Sequence, residues 1–388
     1  MNSDRDRLTE VDVGTVHPVL VEPFRTRFWV EDEMVRDCEI TYNAAHRGIE
    51  RILEGIPLAK AHMITEKVCG LCSHFHLWNS IRVTEKAMDL EVPERAEYIR
   101  VLIAELERIH SHLFFLGHGC ETMGQETFTY RAFALREPLM RVLYELTGNR
   151  VHYAVPAIGG VRPRANPTPD MLKNVSSMLD ELEKGLMSFI DRITTDPMVL
   201  ARVTGVGVLD RKVAEEYHAV GPTARASDVD NDVRHHMHEY DHFNFDYITL
   251  KDGDVKDRLI LRCLEIPESM RIIRQVLDEI PPGKVGTVPK FKYDTEFATT
   301  YIEAPRGELF HSLRIDAEGK VRNYRIRTPT PPNLTCMEQA CIGDQLTDAI
   351  LTIISCDPCL SCSSRALVVD MGTGEEKVVD FREVKAKC

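Results

Sequence analysis

Apolar residues recur at helical spacing through the middle of the chain. From Glu94 to Gly117, the residues Ile99, Leu102, Leu106, Ile109, Leu113 and Leu116 line one face of a 3.6-residue repeat. This pattern predicts a long helix with Gly117 as its stop. A second stripe (Leu172, Val175, Leu179, Leu182, Leu186, Ile193) predicts a helix from Pro169 to about Ile193, with Thr168 as N-cap and Pro169 in the first turn. A third helix is predicted over Tyr130 to Leu146, and residues 42–88 read as helix broken around Cys69 and Cys72. Short alternating pieces in residues 1–40 read as strand and turn. Residues 307–328 read as a hairpin turning at Ala317-Glu318-Gly319. The predicted fold class is α+β and predominantly helical, a central bundle of long helices with small β-sheet elements near both ends. No repeat or low-complexity linker divides the chain, so residues 1–365 are expected to form a single domain, followed by a C-terminal segment, 366–388.

Composition narrows the function. The 388 residues are 43% apolar and 28% charged, with a formal net charge of −13. That is enough chain for a large core, and the acidic balance argues against a nucleic-acid binder, which needs a basic face for phosphates. No apolar run reaches the roughly 18 to 20 residues of a membrane helix. The N-terminus has neither a signal peptide nor a twin-arginine pair, so the chain is expected inside the cell with any membrane link made through a partner. Eleven cysteines, an odd number without an export signal, argue against a disulfide framework.

Four of those cysteines form two C-x-x-C pairs, Cys69/Cys72 and Cys359/Cys362, at opposite ends of the chain. Zinc-ribbon pairs usually lie about 10 to 20 residues apart. A site joining such distant pairs spans the whole fold, and four sulfurs suit zinc, iron or another soft metal. Spacing does not choose among them.

The flanks do. The boxes Thr65-Glu66-Lys67-Val68-Cys69-Gly70-Leu71-Cys72-Ser73-His74-Phe75-His76 and Ser355-Cys356-Asp357-Pro358-Cys359-Leu360-Ser361-Cys362 resemble those of NiFe-hydrogenase large subunits. Further matches are Gly14-Thr15-Val16-His17-Pro18, His46-Arg47-Gly48-Ile49-Glu50, Ile158 through Arg164, Gly221 through Ser227, Glu303 through Glu308, and Arg327 through Thr330. The resemblance is to the energy-converting, membrane-associated branch related to respiratory complex I.

It implies nickel held by all four thiolates, with Cys69 and Cys359 terminal and Cys72 and Cys362 bridging to an iron that carries CO and CN. It further implies that His76 donates to a bridging sulfur and that Arg306, after Pro305, projects over the open metal position and pairs with Asp357. Thr330 would hydrogen-bond an iron cyanide. Glu22, in an apolar strand-like stretch that would hold its proton more tightly, is the expected acceptor of a proton leaving by Cys359. Glu50 matches a ligand of a magnesium-type ion, but Arg365 stands where better-known members have histidine, which leaves that ion open. The implied activity is reversible heterolytic cleavage of H2.

With no iron–sulfur motif in this chain, the implied partners are a small subunit carrying an iron–sulfur cluster, ferredoxin and ion-translocating membrane subunits. The chain would lie peripherally on the cytoplasmic face of the membrane. Residues 366–388 read as a maturation extension removed by an endopeptidase after Arg365, or alternatively as a permanent edge strand. Other readings are a complex I-like quinone-site subunit, a sulfur-reducing relative, and a non-catalytic scaffold stapled by zinc. The groups His110/His112 and His235/His236/His238 read as structural, because they sit on an apolar helix face and among Asp and Arg respectively.

Overall fold

Near the N-terminus three antiparallel strands, β1 (Thr9–Val13), β2 (Arg25–Glu31) and β3 (Met34–Thr41), form a sheet with β2 in the middle. The alternation in β2 and β3 puts Phe28, Val30, Val35, Cys38 and Ile40 inside. The structure, a computed structural model, describes residue 5, residues 7–16 and 22–364, and the backbone of residues 368–369 and 376–377.

Short helices α1 (Ile49–Leu53) and α2 (Leu58–Thr65) lead to α3 (Ser73–Met88), α4 (Glu94–Thr122) and α5 (Glu126–Thr147). A two-residue pair, β4 (Pro156–Ala157) with β5 (Gly160–Val161), precedes α6 (Pro169–Thr195), where the Thr168 hydroxyl accepts from Met171 N. Next come α7 (Pro197–Val203), α8 (Arg211–Glu216), α9 (Gly221–Arg225) and α10 (Val255–Glu279). A second antiparallel sheet, β6 (Ala298–Ala304), β7 (Gly307–Ile315) and β8 (Val321–Arg327), has β7 in the middle. It is followed by α11 (Thr330–Ala340), α12 (Leu346–Ser355) and α13 (Leu360–Ser363).

The long helices α4, α5, α6 and α10 pack on one another, and α3 lies across β6 and β7. The stripe predicted on α4 is buried throughout, from Ile99 to Leu116. A second apolar cluster joins the N-terminal sheet to α11 and α12. The fold is thus predominantly helical with small sheets toward both ends, as the pattern predicts.

One expectation needs correction, and one long helix was not foreseen. Gly117 does not stop its helix. It lies inside α4, where an added Cβ would stand 3.3 Å from the Phe133 ring, so glycine serves the close approach of α5. Helix α10 has no clean stripe in the sequence, because it buries Asp257, Arg258, Arg262 and Glu265 beside its apolar residues. His17, Pro18 and Arg365 lie outside the described residues. So does the tail 366–388, apart from an antiparallel backbone pairing of Val368–Val369 with Glu376–Lys377. Among the described residues no helix is long and apolar enough to cross a membrane.

Candidate metal centre

The two C-x-x-C pairs meet. Cys69 closes a single helical turn (Glu66–Val68), and its Sγ accepts the backbone N–H groups of Leu71 and Cys72, each at 3.3 Å. Cys72 is the N-cap of α3 and Cys359 the N-cap of α13. Cys69 Sγ lies 3.6 Å from Cys359 Sγ, which lies 2.6 Å from Cys362 Sγ. These three sulfurs stand within 4.8 Å of one another, close enough to share one ion. Cys72 falls outside that set, although its thiol interacts with those of Cys69 and Cys362.

All four are free; Cys69, Cys72 and Cys362 are buried and Cys359 is half-buried. Hydrogen bonds from Cys359, Cys362 and Cys72 push Cys69 well below the usual thiol range, while burial, then the neighbouring sulfurs, push Cys362 up. Four soft donors drawn together, one of them favouring the thiolate, fit a soft metal cation.

Arg47 clamps the boxes together. Its guanidinium donates to the carbonyls of Lys67 (2.9 Å), Val68 (2.5 Å) and Ser361 (2.7 Å). The sequence marked Arg47 only as part of a motif. A residue that ties two distant segments through backbone carbonyls leaves no local pattern.

Arg306 stands at the tip of a two-residue hairpin. Ala304 pairs with Gly307, so Pro305 and Arg306 form the turn, and the proline ring fixes its φ. The Arg306 side chain, 4% exposed, donates to Asp357 O and Asp357 Oδ1, both at 2.8 Å, and to Ser111 Oγ at 3.3 Å. The expected pairing with Asp357 is present. Burial works against the guanidinium charge. Asp357 and the sulfurs of Cys359, Cys72 and Cys69 more than offset this and raise it well above its ordinary value.

Gly221, at φ +63°, holds α9 against the hairpin tip. A Cβ there would stand 2.4 Å from Gly307 Cα and 2.5 Å from Arg306 O. Gly221→Ala is expected to cost about 1–2 kcal/mol from the left-handed backbone alone, with the clash adding more and shifting Arg306. Chemical denaturation checks this, and unchanged stability would show that the tip has room.

The other predicted residues fall around the same centre, with differences. Thr330, the first residue of α11, accepts the Cys359 N–H on its hydroxyl at 3.0 Å. Its proton remains free to donate into a small cavity lined by Cys72, His76, Arg306, Cys359 and Cys362. Glu22 precedes β2 in a bend and is not in an apolar strand. Its carboxylate accepts from the backbone N–H groups of Leu360 and Ser361 and from the Ser361 hydroxyl, satisfying the start of α13. It lines a larger cavity together with Cys69, Cys359 and Arg306.

His76 is buried and turns Nδ1 to His311 Nε2 at 3.2 Å. Burial pushes it down to about 4, so the ring is neutral. Glu50 Oε1 accepts from Ile326 N at 2.7 Å, and among the described residues it joins no group of His, Cys, Asp and Glu ligands.

Glu107 was not foreseen. Lying on α4, it accepts from Ser73 Oγ and the N–H groups of His74 and Phe75, so it completes the start of α3 beside Cys72. Burial pushes it up to about 8. The only sequence signal was a charged residue inside an apolar helical run. The histidine groups are structural. His112 Nε2 sits 2.8 Å from Glu265, and His235 stacks on Tyr247.

Similarity to known proteins covers both cysteine boxes. Residues 47–119 match the family described as nickel-dependent hydrogenase. Residues 122–295 and 287–365 match the family described as the 49-kDa subunit of respiratory-chain NADH dehydrogenase. The chain is 35% identical over 388 residues to the membrane-bound hydrogenase subunit alpha of Pyrococcus furiosus, covering 94% of this chain and 89% of that protein. The chain belongs to the superfamily of hydrogenase large subunits and respiratory 49-kDa subunits.

Within this superfamily it is also 33% identical over 353 residues to an NADH-quinone oxidoreductase subunit of Dehalococcoides mccartyi, covering 89% of this chain and 95% of that one. A solved structure of the membrane-bound sulfane sulfur reductase, an archaeal respiratory membrane complex, superposes with a TM-score of 0.86 at 27% identity. That match covers 92% of this chain and 98% of the other. Members of the superfamily thus carry different activities on one scaffold, and the Cys69, Cys359 and Cys362 cluster marks this chain as a metal-binding candidate of oxidoreductase type.

Proposed function

We propose that the chain is the catalytic subunit of an energy-converting NiFe-hydrogenase that takes up or forms H2. The observation that supports this reading is the convergence of Cys69 with Cys359 and Cys362, with the Cys72 thiol interacting with two of them, beside the buried Arg306–Asp357 pair. Cys69, Cys72, Cys359 and Cys362 would hold nickel and iron, and those metals, with CO and CN on the iron, would supply the redox chemistry of hydrogen.

The protein's own groups do the rest. Arg306, fixed by Asp357, holds a positive charge against the sulfurs and orients whatever enters between them. Thr330 keeps a hydroxyl proton for a small acceptor in the cavity. Cys359 gives up a proton to Glu22, which is anchored one residue away on Leu360 and Ser361. Electrons would pass through a small iron–sulfur subunit to or from ferredoxin, and membrane subunits would couple the transfer to ion movement at the cytoplasmic face. Glu50 as a magnesium ligand, and removal of residues 366–388 by an endopeptidase, complete the proposal.

A second reading has the more direct support of the comparisons. The longer family match is to the 49-kDa subunit, and the superposed structure is a sulfur reductase. The larger cavity has apolar walls in Phe24, Phe114, Phe115 and Ile354, which would suit a quinone or a sulfur chain better than H2. On this reading the same cysteines and Arg306 serve a bulkier substrate.

Metal analysis with infrared spectroscopy of the isolated complex separates these readings. Nickel with bands from bound CO and CN supports the hydrogenase. Absence of those bands, with reduction of a quinone or polysulfide, supports the second reading, and zinc alone removes both. If the first holds, Glu22→Gln keeps the shape of the side chain but cannot carry the proton. Turnover should then fall by roughly two orders of magnitude while the infrared bands stay. Loss of the bands as well would make Glu22 a structural residue.

A further inference from the structure

We propose that residues 288–293 form a strap on which another protein docks by adding an acidic edge strand. Helix α10 ends at Glu279 and β6 begins at Ala298, and the residues between them form neither helix nor strand. Connections longer than roughly 12 to 15 residues without structure of their own are uncommon in a compact fold and usually functional. This one is held at both ends. On one side Val285 O accepts from Val161 N at 2.8 Å, and Thr287 N donates to Gly159 O at 2.9 Å. On the other, Asp294 N donates to Asp316 O at 3.3 Å and Thr295 N to Ile315 O at 2.9 Å, where β7 ends. Between these anchors, among the described residues, no backbone–backbone hydrogen bond reaches residues 288–293.

The strap is apolar and basic together. Residues 284–293 read Lys-Val-Gly-Thr-Val-Pro-Lys-Phe-Lys-Tyr, with three lysines and no acid, in a chain of net charge −13. Lys284, Lys290 and Lys292 are exposed. Val288 is 94% exposed, Phe291 49% and Tyr293 45%. The rings of Phe291 and Tyr293 stack at 6.0 Å and 14°, as residues two apart on one side of an extended chain do. Tyr293 lies over the hairpin turn, where a Cβ on Gly319 would stand 2.9 Å from its ring. The aromatic side of the strap therefore faces the body of the protein. By the same alternation Val288, Lys290 and Lys292 face away from it.

An extended segment with unpaired N–H and C=O groups is a template for strand addition. The side chains specify what pairs with it. Lys290 and Lys292 require acidic residues two apart on the incoming strand, because opposite charges stabilise a cross-strand pair and like charges destabilise it. Half-exposed Phe291 requires an apolar residue on that strand's other face. Pro289 has no N–H to offer, which suits an edge.

Other occupants fit less well. An anionic membrane would attract the lysines, but sinking Val288 into lipid would take unpaired backbone with it, where nothing satisfies those groups. A second copy of this chain has a free edge in β1, with Glu10 and Asp12 two apart, but Arg25 Nε already donates to Asp12 at 2.8 Å. The strap is also remote from the sulfurs. Thr287 is bonded to Gly159, whose N–H donates to Glu85 near the end of α3, about 20 Å along that helix from Cys72. The contact thus serves assembly and is independent of the chemistry assigned to the cysteines.

The purified complex tests this. Carbodiimide joins a lysine amine to a carboxylate in contact with it. It should link Lys290 or Lys292 to an Asp or Glu of another subunit, identified by sequencing the linked peptides. Strand pairing should slow hydrogen–deuterium exchange at the amides of residues 290–293 at least tenfold in the complex relative to the isolated full chain. Lys290→Glu combined with Lys292→Glu should abolish both the links and the protection, whereas Lys212→Glu, exposed on another face, should change neither. Absence of links in the parent complex, equal exchange in complex and isolated chain, or protection that survives the double variant would overturn the docking. Links only to Glu10 or Asp12 would overturn it in favour of a second copy. Lysine-dependent binding of the isolated chain to phosphatidylserine vesicles, without links to protein, would overturn it in favour of the membrane.

Discussion

On the hydrogenase reading, replacing Cys359 by serine is expected to reduce hydrogen activity to background while the subunit stays folded. Cys359 Sγ is the sulfur common to both close contacts, 3.6 Å from Cys69 and 2.6 Å from Cys362. A serine hydroxyl is a hard, protonated group at neutral pH and does not replace a soft thiolate on nickel or iron. The local fold has little to lose. Position 359 is the N-cap of α13, where serine is among the preferred residues, and its backbone N–H keeps Thr330 as acceptor. Stability should therefore change by less than about 1 kcal/mol, within the range of an ordinary polar substitution. Metal content, infrared bands and hydrogen–deuterium exchange are the measurements. Exchange at the parent rate in Cys359→Ser would remove this sulfur from the reaction.

Local chemistry was legible in the sequence and long-range chemistry was not. The stripe of α4, the Thr168 cap and the hairpin turn at residues 316–320 depend on neighbours a few positions away, and the pattern predicts them. In that turn the Asp316 carboxylate accepts from Glu318 N and Lys320 N. Gly117 misled because glycine also serves close helix packing. Helix α10 was missed because its face holds charges paired elsewhere in the fold. At the site, the cysteine spacing and its flanks pointed to two distant pairs, and the convergence of Cys69 with Cys359 and Cys362 bears out their joining. Glu22 was misread as part of a strand, and its partners Leu360 and Ser361 were not foreseen because they lie at the other end of the chain. Arg47, Glu107 and His311 likewise act through partners outside their own elements and gave no local sign.

The largest expected loss of stability comes from Arg225→Ala. Arg225 on α9 is 1% exposed and binds Glu265 Oε1 through Nε (3.1 Å) and Nη2 (2.6 Å), and Glu303 Oε1 through Nη1 (2.9 Å). Asp232 lies 3.8 Å away. Alanine would leave these carboxylates buried with less positive charge, and breaking such a network from one side costs about 3–5 kcal/mol. The pH dependence identifies the cause. Glu265 is held well below its ordinary value; burial alone would raise it, and Arg225 leads the groups that bring it down. Its stabilising contribution is present above the ordinary carboxylate value and is lost as the pH falls below it.

Glu303 behaves oppositely. Burial pushes it up to about 7 from an ordinary 4.5 despite Arg225, so its contribution is full below about 4.5 and is lost as the pH rises through about 7. Without Arg225, Glu265 should join Glu303 in this second behaviour. The stability gap between parent and variant should therefore widen from pH 5 to pH 8 in chemical denaturation. A gap that is constant or that narrows would mean that Arg225 does not balance these charges.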